Sequence, residues 1–236
     1  MLLLLTRDAV RRVNMRIKIL GDWSAIPARV RAAMIRVMRN TADNDGITVN
    51  VCFSYTSRWE IAHSIQLMAR GVSEGRLQLC DVSEDLMEMS FETAHEPDPD
   101  ILIRTSGEVR LSDFLTWQSS FAAPFWLSTL WPAVQLTDIL AVLLTYQQQV
   151  DALQKQKAVA IEQKQMAQQH ADVIWLRQRW EAEPKRDEGR PMVQRVKTLD
   201  DRLAQLLLDR DARVDGFLAD HQERMDVMFE DSLSYE

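Results

Sequence analysis

Cysteine is scarce: the 236 residues contain two, Cys52 and Cys80. They form no CxxC pair and have no histidine cluster beside them, which argues against a disulfide framework and a thiolate metal site. Both lie among apolar residues, so buried free thiols in a reducing compartment are expected. The four histidines, His63, His95, His170 and His221, are too scattered for a metal centre and read as ordinary surface residues. Long apolar runs are missing as well, and none approaches the ~18 residues of a membrane span. The opening MLLLL gives way to Thr6, Arg7 and Asp8, too soon for a signal-peptide core. The chain itself therefore reads as soluble and cytosolic, with any membrane association supplied by a partner, a substrate or an amphipathic surface. Basic excess is absent: 28 Lys and Arg face 35 Asp and Glu, a formal charge of −7. That disfavours a nucleic-acid binder, which would carry a basic stripe, but leaves room for a phosphate ligand held by local arginines.

What is present is an alternation of strand and helix signals. Arg16 to Leu20 alternates and stops at Gly21-Asp22, a strand and turn. Pro27 opens an amphipathic helix carrying Val30, Met34, Ile35, Val37 and Met38, which ends near Asp43-Asn44-Asp45-Gly46. Ile47 to Tyr55 is β-rich. Thr56-Ser57-Arg58 starts another helix, with Ser57 as N-cap and Glu60 three residues on in a capping-box pattern. A short helix spans Val82 to Ser90, capped by Ser83 or Asp81. The expected class is α/β, a partial parallel sheet flanked by helices, whose ligands bind beyond the carboxyl ends of the strands.

Pro97 to Pro132 organises the rest. Ile101, Leu102 and Ile103 form a buried strand, and Thr105, Ser106 and Gly107 the loop after it. Ser112 then reads as an N-cap, with Asp113 in the first turn and Phe114, Leu115, Gln118 and Phe121 on a helical repeat. Arg104 at the strand end, Arg110 in the loop and Ser112 at the helix start can converge on a phosphate or diphosphate, helped by free helix N–H groups. Local pairing of the arginines with Glu108 and Asp113 is the competing account, and spacing leaves both open. Arg58, Ser106 and Gly107 fall on the same rim, although Arg58 can equally brace its own loop.

From Leu136 glycine and proline disappear until Pro184. Ile139, Leu143, Tyr146, Val150 and Leu153 follow the spacing of a long helix, continued by Ala160, Ala167, Ala171, Ile174, Trp175 and Trp180. The Gln and Lys residues between Gln147 and Gln169 read as its solvated face. Glu181 to Pro191 is a charged turn, and Val196, Leu199, Leu203, Leu206 and Phe217 mark a second helix. The expected organisation is a catalytic portion over residues 1–135 and a helical hairpin over 136–236 acting as an assembly appendage.

IRTSGEVRLSDFLTWQ followed by LWP closely resembles the carboxy-terminal signature of the cis-prenyltransferases, and YTSRWEI resembles a second block of that family. The form TSGEVRLSDF is similar to the eukaryotic dehydrodolichyl diphosphate synthase branch. The likeness is dense from Met15 to Tyr146. It implies that farnesyl diphosphate is extended with isopentenyl diphosphate, with Mg²⁺, to a long cis-polyprenyl diphosphate for dolichol synthesis and protein glycosylation. It also implies that Arg104, Arg110 and Ser112 bind isopentenyl diphosphate, in agreement with the site read from the residues.

Three departures stand beside it. The family's strand followed by Asp-Gly-Asn-Arg-Arg, whose Asp serves Mg²⁺ and the allylic diphosphate, has no counterpart, so no catalytic or metal-binding residue is assigned. The chain reads as beginning midway through the family domain. Bacterial relatives carry a metal-binding Glu five residues after the Gln of the WQ pair, where this sequence has Ala123. The Arg-X-Gly ending of homomeric members is missing. The resemblance therefore implies a Nogo-B-receptor-type partner subunit at the cytosolic face of the endoplasmic reticulum membrane. The alternative is a truncated, non-catalytic assembly subunit or isoform that keeps only the isopentenyl diphosphate half-site.

Overall fold

The computed structural model describes residues 7–94, 96–182 and 199–233. After a short helix α1 (Arg7–Arg12), strand β1 (Arg16–Leu20) pairs in parallel with β2 (Thr48–Cys52), Ile17 opposite Val49 and Ile19 opposite Val51. Parallel pairing needs a crossover, which α2 (Ala28–Asn40) supplies. Ile17 and Ile19 are buried. Lys18, whose side chain alternates to the opposite face, pairs with Glu96. Helix α3 (Ser57–Ser73) follows β2, and α4 (Glu84–Met89) is capped by Ser83, whose side chain accepts the Leu86 N–H, as expected.

The second parallel pair is β3 (Ile101–Arg104) with β4 (Ala123–Trp126), Ile101 opposite Ala123 and Arg104 opposite Trp126. Two features differ from the sequence expectation. The strands form two separate two-stranded sheets and not one continuous sheet, because no ladder joins the pairs among the described residues. The expected helix from Ser112 is also absent, and the crossover runs through bends and turns. Ser112, Asp113 and Leu115 have φ of 51°, 61° and 45°, in the left-handed region that a right-handed helix of L-residues cannot contain.

Helix α5 (Leu136–Ala182) and helix α6 (Leu199–Leu233) form the C-terminal helical pair. The turn between them, Val196 included, lies outside the described residues, as does His95. Helix α6 lies against the α/β portion. Val214 and Phe217 join Met68, Leu77, Leu86, Met87 and Phe91 in one buried cluster. Met225, Met228, Phe229 and Leu233 pack on Ile19, Trp23, Ile26 and Ile35 in a second. Gly71 makes room for the first contact, since a Cβ there would lie 2.6 Å from Phe217 Cε2.

The inward side of α5 departs from the apolar reading: Val142 is buried where Leu143 is expected, Leu143 and Ile174 are exposed, and the stripe fails beyond Ala160. Ala167 and Ala171 are exposed, and Asp172 is buried. Polar contacts replace the stripe: Lys164 meets Asp85 at 2.7 Å and Glu88 at 3.0 Å, and Lys157 meets Asp98 at 3.0 Å. Arg210 of α6 closes on Asp172 through both carboxylate oxygens, at 2.8 and 2.5 Å, and donates to the Cys80 carbonyl at 2.5 Å. Beside it Arg213 donates to both oxygens of Asp81, at 2.8 and 2.7 Å.

Cys80 is buried and Cys52 only partly so, both as free thiols. His63 and His221 are not simple surface groups either. Both are partly buried, and burial pushes their pKa down. His63 stacks on Trp59 at 5.2 Å.

Candidate functional site

Strand β3 delivers Arg104 to the loop that follows it. Its Nη1 donates to Ser112 Oγ at 2.9 Å and to the Arg110 carbonyl oxygen. Arg104 and Ser112, far apart in an extended chain, are thus joined by side chains, whereas Arg110 enters through its main chain. The Arg110 guanidinium is exposed and pairs with Glu108 at 3.1 Å. Local pairing therefore holds for Arg110 and not for Arg104, which makes no ion pair among the described residues. The same is true of Arg58, an exposed residue in the first turn of α3.

Asp113, the other acid considered for pairing, goes elsewhere. Its carbonyl accepts the Ser57 N–H at 2.8 Å, and Oδ1 accepts the Arg58 N–H at 3.1 Å. A helix N-terminus leaves its first N–H groups unsatisfied. Here Asp113 takes two of them, and Thr56 Oγ1 takes a third from Trp59 at 3.2 Å. The N-cap of α3 is therefore Thr56, one residue before the expected Ser57. Ser57 Oγ instead accepts the Thr116 N–H at 2.8 Å. Neither the start of α3 nor a helix at Ser112 offers free N–H groups to an anion, so the positive character of the site rests on guanidinium groups.

Ser106 and Gly107 are on the same loop, both with φ of 72°. Their N–H groups donate to the carbonyls of Thr129 and Leu127, each at 2.9 Å. They tie the β3 loop to the segment after β4 and have no amide left for a ligand.

Sequence reasoning missed the buried cluster beneath this loop. Glu60 is 2% exposed. Its Oε2 accepts from Tyr55 Oη at 2.5 Å and from Gln118 Nε2 at 2.8 Å, and its Oε1 accepts the Glu92 N–H at 2.9 Å. Gln118 Nε2 also donates to Thr93 Oγ1 at 2.9 Å. Glu60 is thus no capping-box partner. The signal available was a polar Glu and a polar Gln on otherwise apolar stretches. Burial, then the charge of Glu60, push the Glu92 carboxyl up to about 7, against a bond from the Gly21 N–H. Burial and the bond to Glu60 raise the Tyr55 phenol, so it stays a proton donor.

No three His, Cys, Asp or Glu side chains converge to hold a metal ion among the described residues. Glu108 is engaged by Arg110 and Asp113 by α3. The described residues form no all-protein Mg²⁺ cage, and Ala123, buried in β4, offers no ligand.

A sequence model of the family described as "Putative undecaprenyl diphosphate synthase" matches residues 2–154. The chain belongs to this prenyltransferase family. It is 35% identical over 212 residues to the dehydrodolichyl diphosphate synthase complex subunit of Mus musculus, covering 90% of this chain and 62% of that protein. The corresponding subunit of Homo sapiens is 34% identical over the same shares. The chain thus spans about three fifths of the length of these relatives. Among solved structures it is similar to lavandulyl diphosphate synthase from Lavandula x intermedia in complex with dimethylallyl diphosphate. The TM-score is 0.54 and the identity 27%, over 61% of this chain and 60% of that one. The cis-prenyltransferase fold expected from the signature blocks is the fold of this neighbour, and the likeness to dehydrodolichyl relatives agrees with the branch that TSGEVRLSDF resembles.

Proposed function

We propose that this chain serves cis-prenyl transfer, with Arg104, Ser112 and Arg110 holding the diphosphate of isopentenyl diphosphate. In that reaction the carbon–oxygen bond of an allylic diphosphate breaks, and the terminal alkene carbon of isopentenyl diphosphate forms the new carbon–carbon bond. A proton is lost, and inorganic diphosphate leaves. The single observation that carries the reading is the state of Arg104. Its guanidinium is set by Ser112 Oγ and the Arg110 carbonyl, yet it has no carboxylate partner among the described residues. A guanidinium held but not neutralised suits a diphosphate, which it can bind through paired charge-assisted donors. Arg58 adds a second cation on the rim, and release of Arg110 from Glu108 adds a third.

Farnesyl diphosphate as the allylic substrate and a dehydrodolichyl-type product are the specific form of the proposal, supported by the Mus musculus and Homo sapiens relatives. Those relatives are named as subunits of a complex, which supports a partner of the Nogo-B-receptor type. No described helix is long and apolar enough to cross a membrane. In this reading the partner and the product bring the chain to the endoplasmic reticulum membrane. Mg²⁺ would then be held largely by the diphosphates, with one or two carboxylates from the protein.

A second reading is a non-catalytic assembly subunit retaining the isopentenyl diphosphate half-site. Co-expression with a Nogo-B-receptor-type subunit, followed by Mg²⁺, farnesyl diphosphate and labelled isopentenyl diphosphate, separates the two. Polyprenyl product that is lost on Arg104→Ala supports transfer. Diphosphate binding without product supports the half-site.

A further inference from the structure

We propose that Glu60 and Ser57, both buried in the first turn of α3, are positioning residues that hold Ser112, and through it Arg104, in the diphosphate-binding arrangement. The inference rests on the anion-site reading above.

Glu60 is a carboxylate buried to 2% exposure, satisfied by three neutral donors and by no cation among the described residues. Burial of a carboxylate without a counter-ion is unfavourable even when it is hydrogen-bonded. An uncharged side chain would serve packing at lower cost, so the charge has a use beyond stability. That use is visible in Gln118. Its Nε2 faces both Glu60 Oε2 and Thr93 Oγ1, and a flipped amide would set its oxygen against the carboxylate. Glu60 therefore selects one orientation of Gln118, a residue 6% exposed that anchors the far end of the 113–118 segment.

Ser57 anchors the near end. It is fully buried, its N–H donates to the Asp113 carbonyl at 2.8 Å, and its Oγ accepts the Thr116 N–H at 2.8 Å. At the near anchor and just before it the backbone is strained. Ser112 and Asp113 are consecutive non-glycine residues at φ 51° and 61°, a conformation that persists only when its surroundings over-determine it. Ser112 sits one bond beyond the anchored segment, and its Oγ is what Arg104 Nη1 contacts. Loss of either anchor frees the chain to relax toward ordinary φ values. Ser112 then moves away from Arg104.

Isothermal titration of the full chain with inorganic diphosphate tests this, together with amide hydrogen exchange and thermal melting on each variant. Glu60→Gln keeps the shape but turns an amide N–H₂ toward donors. It is expected to weaken diphosphate binding about tenfold, with faster exchange at Asp113 to Gln118 in a chain that still melts cooperatively. The swap Glu60→Gln with Gln118→Glu re-forms the bond with its donor and acceptor exchanged. It should recover most of the loss, and a change in affinity without a matching change in melting temperature is what a merely structural role would not produce. Ser57→Ala gives an independent readout should Glu60→Gln fail to fold, with an expected loss of threefold or more. If Arg104→Ala binds diphosphate as the parent does, the anion-site reading itself fails. If Arg104→Ala weakens binding while folded Glu60→Gln and Ser57→Ala stay within twofold of the parent, the anion site stands and the positioning role is overturned.

Discussion

Asp113 caps a helix to which it does not belong: its Oδ1 accepts the N–H of Arg58, 55 residues earlier in the chain, at 3.1 Å. The bond joins the two blocks that carry the family likeness, YTSRWEI and RTSGEVRLSDF. It also uses up an acid that would otherwise stand beside Ser112 and oppose an anion. One side chain thus satisfies the start of α3, ties down the loop that carries Ser112 and leaves Arg104 unneutralised.

Asp113→Ala should therefore destabilise the chain by about 1 kcal/mol through loss of the cap. Asp113→Asn, which keeps an acceptor oxygen, should recover most of it. Urea unfolding followed by circular dichroism checks both. Equal midpoints for Asp113→Ala and the parent would mean that the cap contributes nothing.

The two arginines of the loop should not behave alike. Arg104 is positioned and without an ion pair among the described residues. Its replacement by Ala is expected to remove a charge-assisted contact of about 1.5–3 kcal/mol, a tenfold to hundredfold loss of inorganic diphosphate affinity. Arg110→Ala should cost less, because its guanidinium is 71% exposed and already on Glu108. Glu108→Ala should tighten binding by up to about fivefold, the strength of an exposed ion pair. Weakened binding in Glu108→Ala would show that the acid serves the site in some other way.

Much of this was legible in the sequence, and the illegible part has a common cause. Strand β1 lies where the alternation of Arg16 to Leu20 places it, and β3 where Ile101 to Ile103 does, because local patterns determine them. The cap of α4 at Ser83 was equally local. The helix expected at Ser112 failed because its donors and acceptors are claimed by α3 from 55 residues away, which no local propensity encodes. The inward face of α5 failed for a similar reason. Asp172 and Lys164 point inward because Arg210, Asp85 and Glu88 meet them there. A search for apolar period passes over such residues.

Glu92 gives the chain a pH dependence of stability with a definite sign. Its carboxyl is raised from 4.5 to about 7, chiefly by burial and then by the charge of Glu60. Across that window the folded chain binds more protons than the unfolded one, so stability falls as pH rises and levels off above about 7. The expected loss is on the order of 3 kcal/mol. Glu92→Gln should flatten the slope and leave the chain more stable than the parent at pH 8. Thermal melts at pH 5, 6, 7 and 8 measure it, and parallel slopes in the two proteins would sink the assignment.

Asp172 and Arg210 link α5 to α6. Asp172 is 2% exposed and Arg210 9%, and both carboxylate oxygens are engaged. Removal of one member of a buried pair leaves the other charged and unsatisfied. Asp172→Ala should therefore destabilise by about 3–5 kcal/mol, more than any surface substitution. Arg210 would keep only the Cys80 carbonyl and a 3.7 Å approach to Asp81. Replacement of both partners by apolar residues of similar volume, Asp172→Leu with Arg210→Met, removes the unpaired charge and should recover most of the stability. If the double variant is as unstable as Asp172→Ala, Arg210 matters for its bonds to Cys80 and Asp81 and not for Asp172. The attachment of α6 then rests on the segment around Asp81, with α5 secondary.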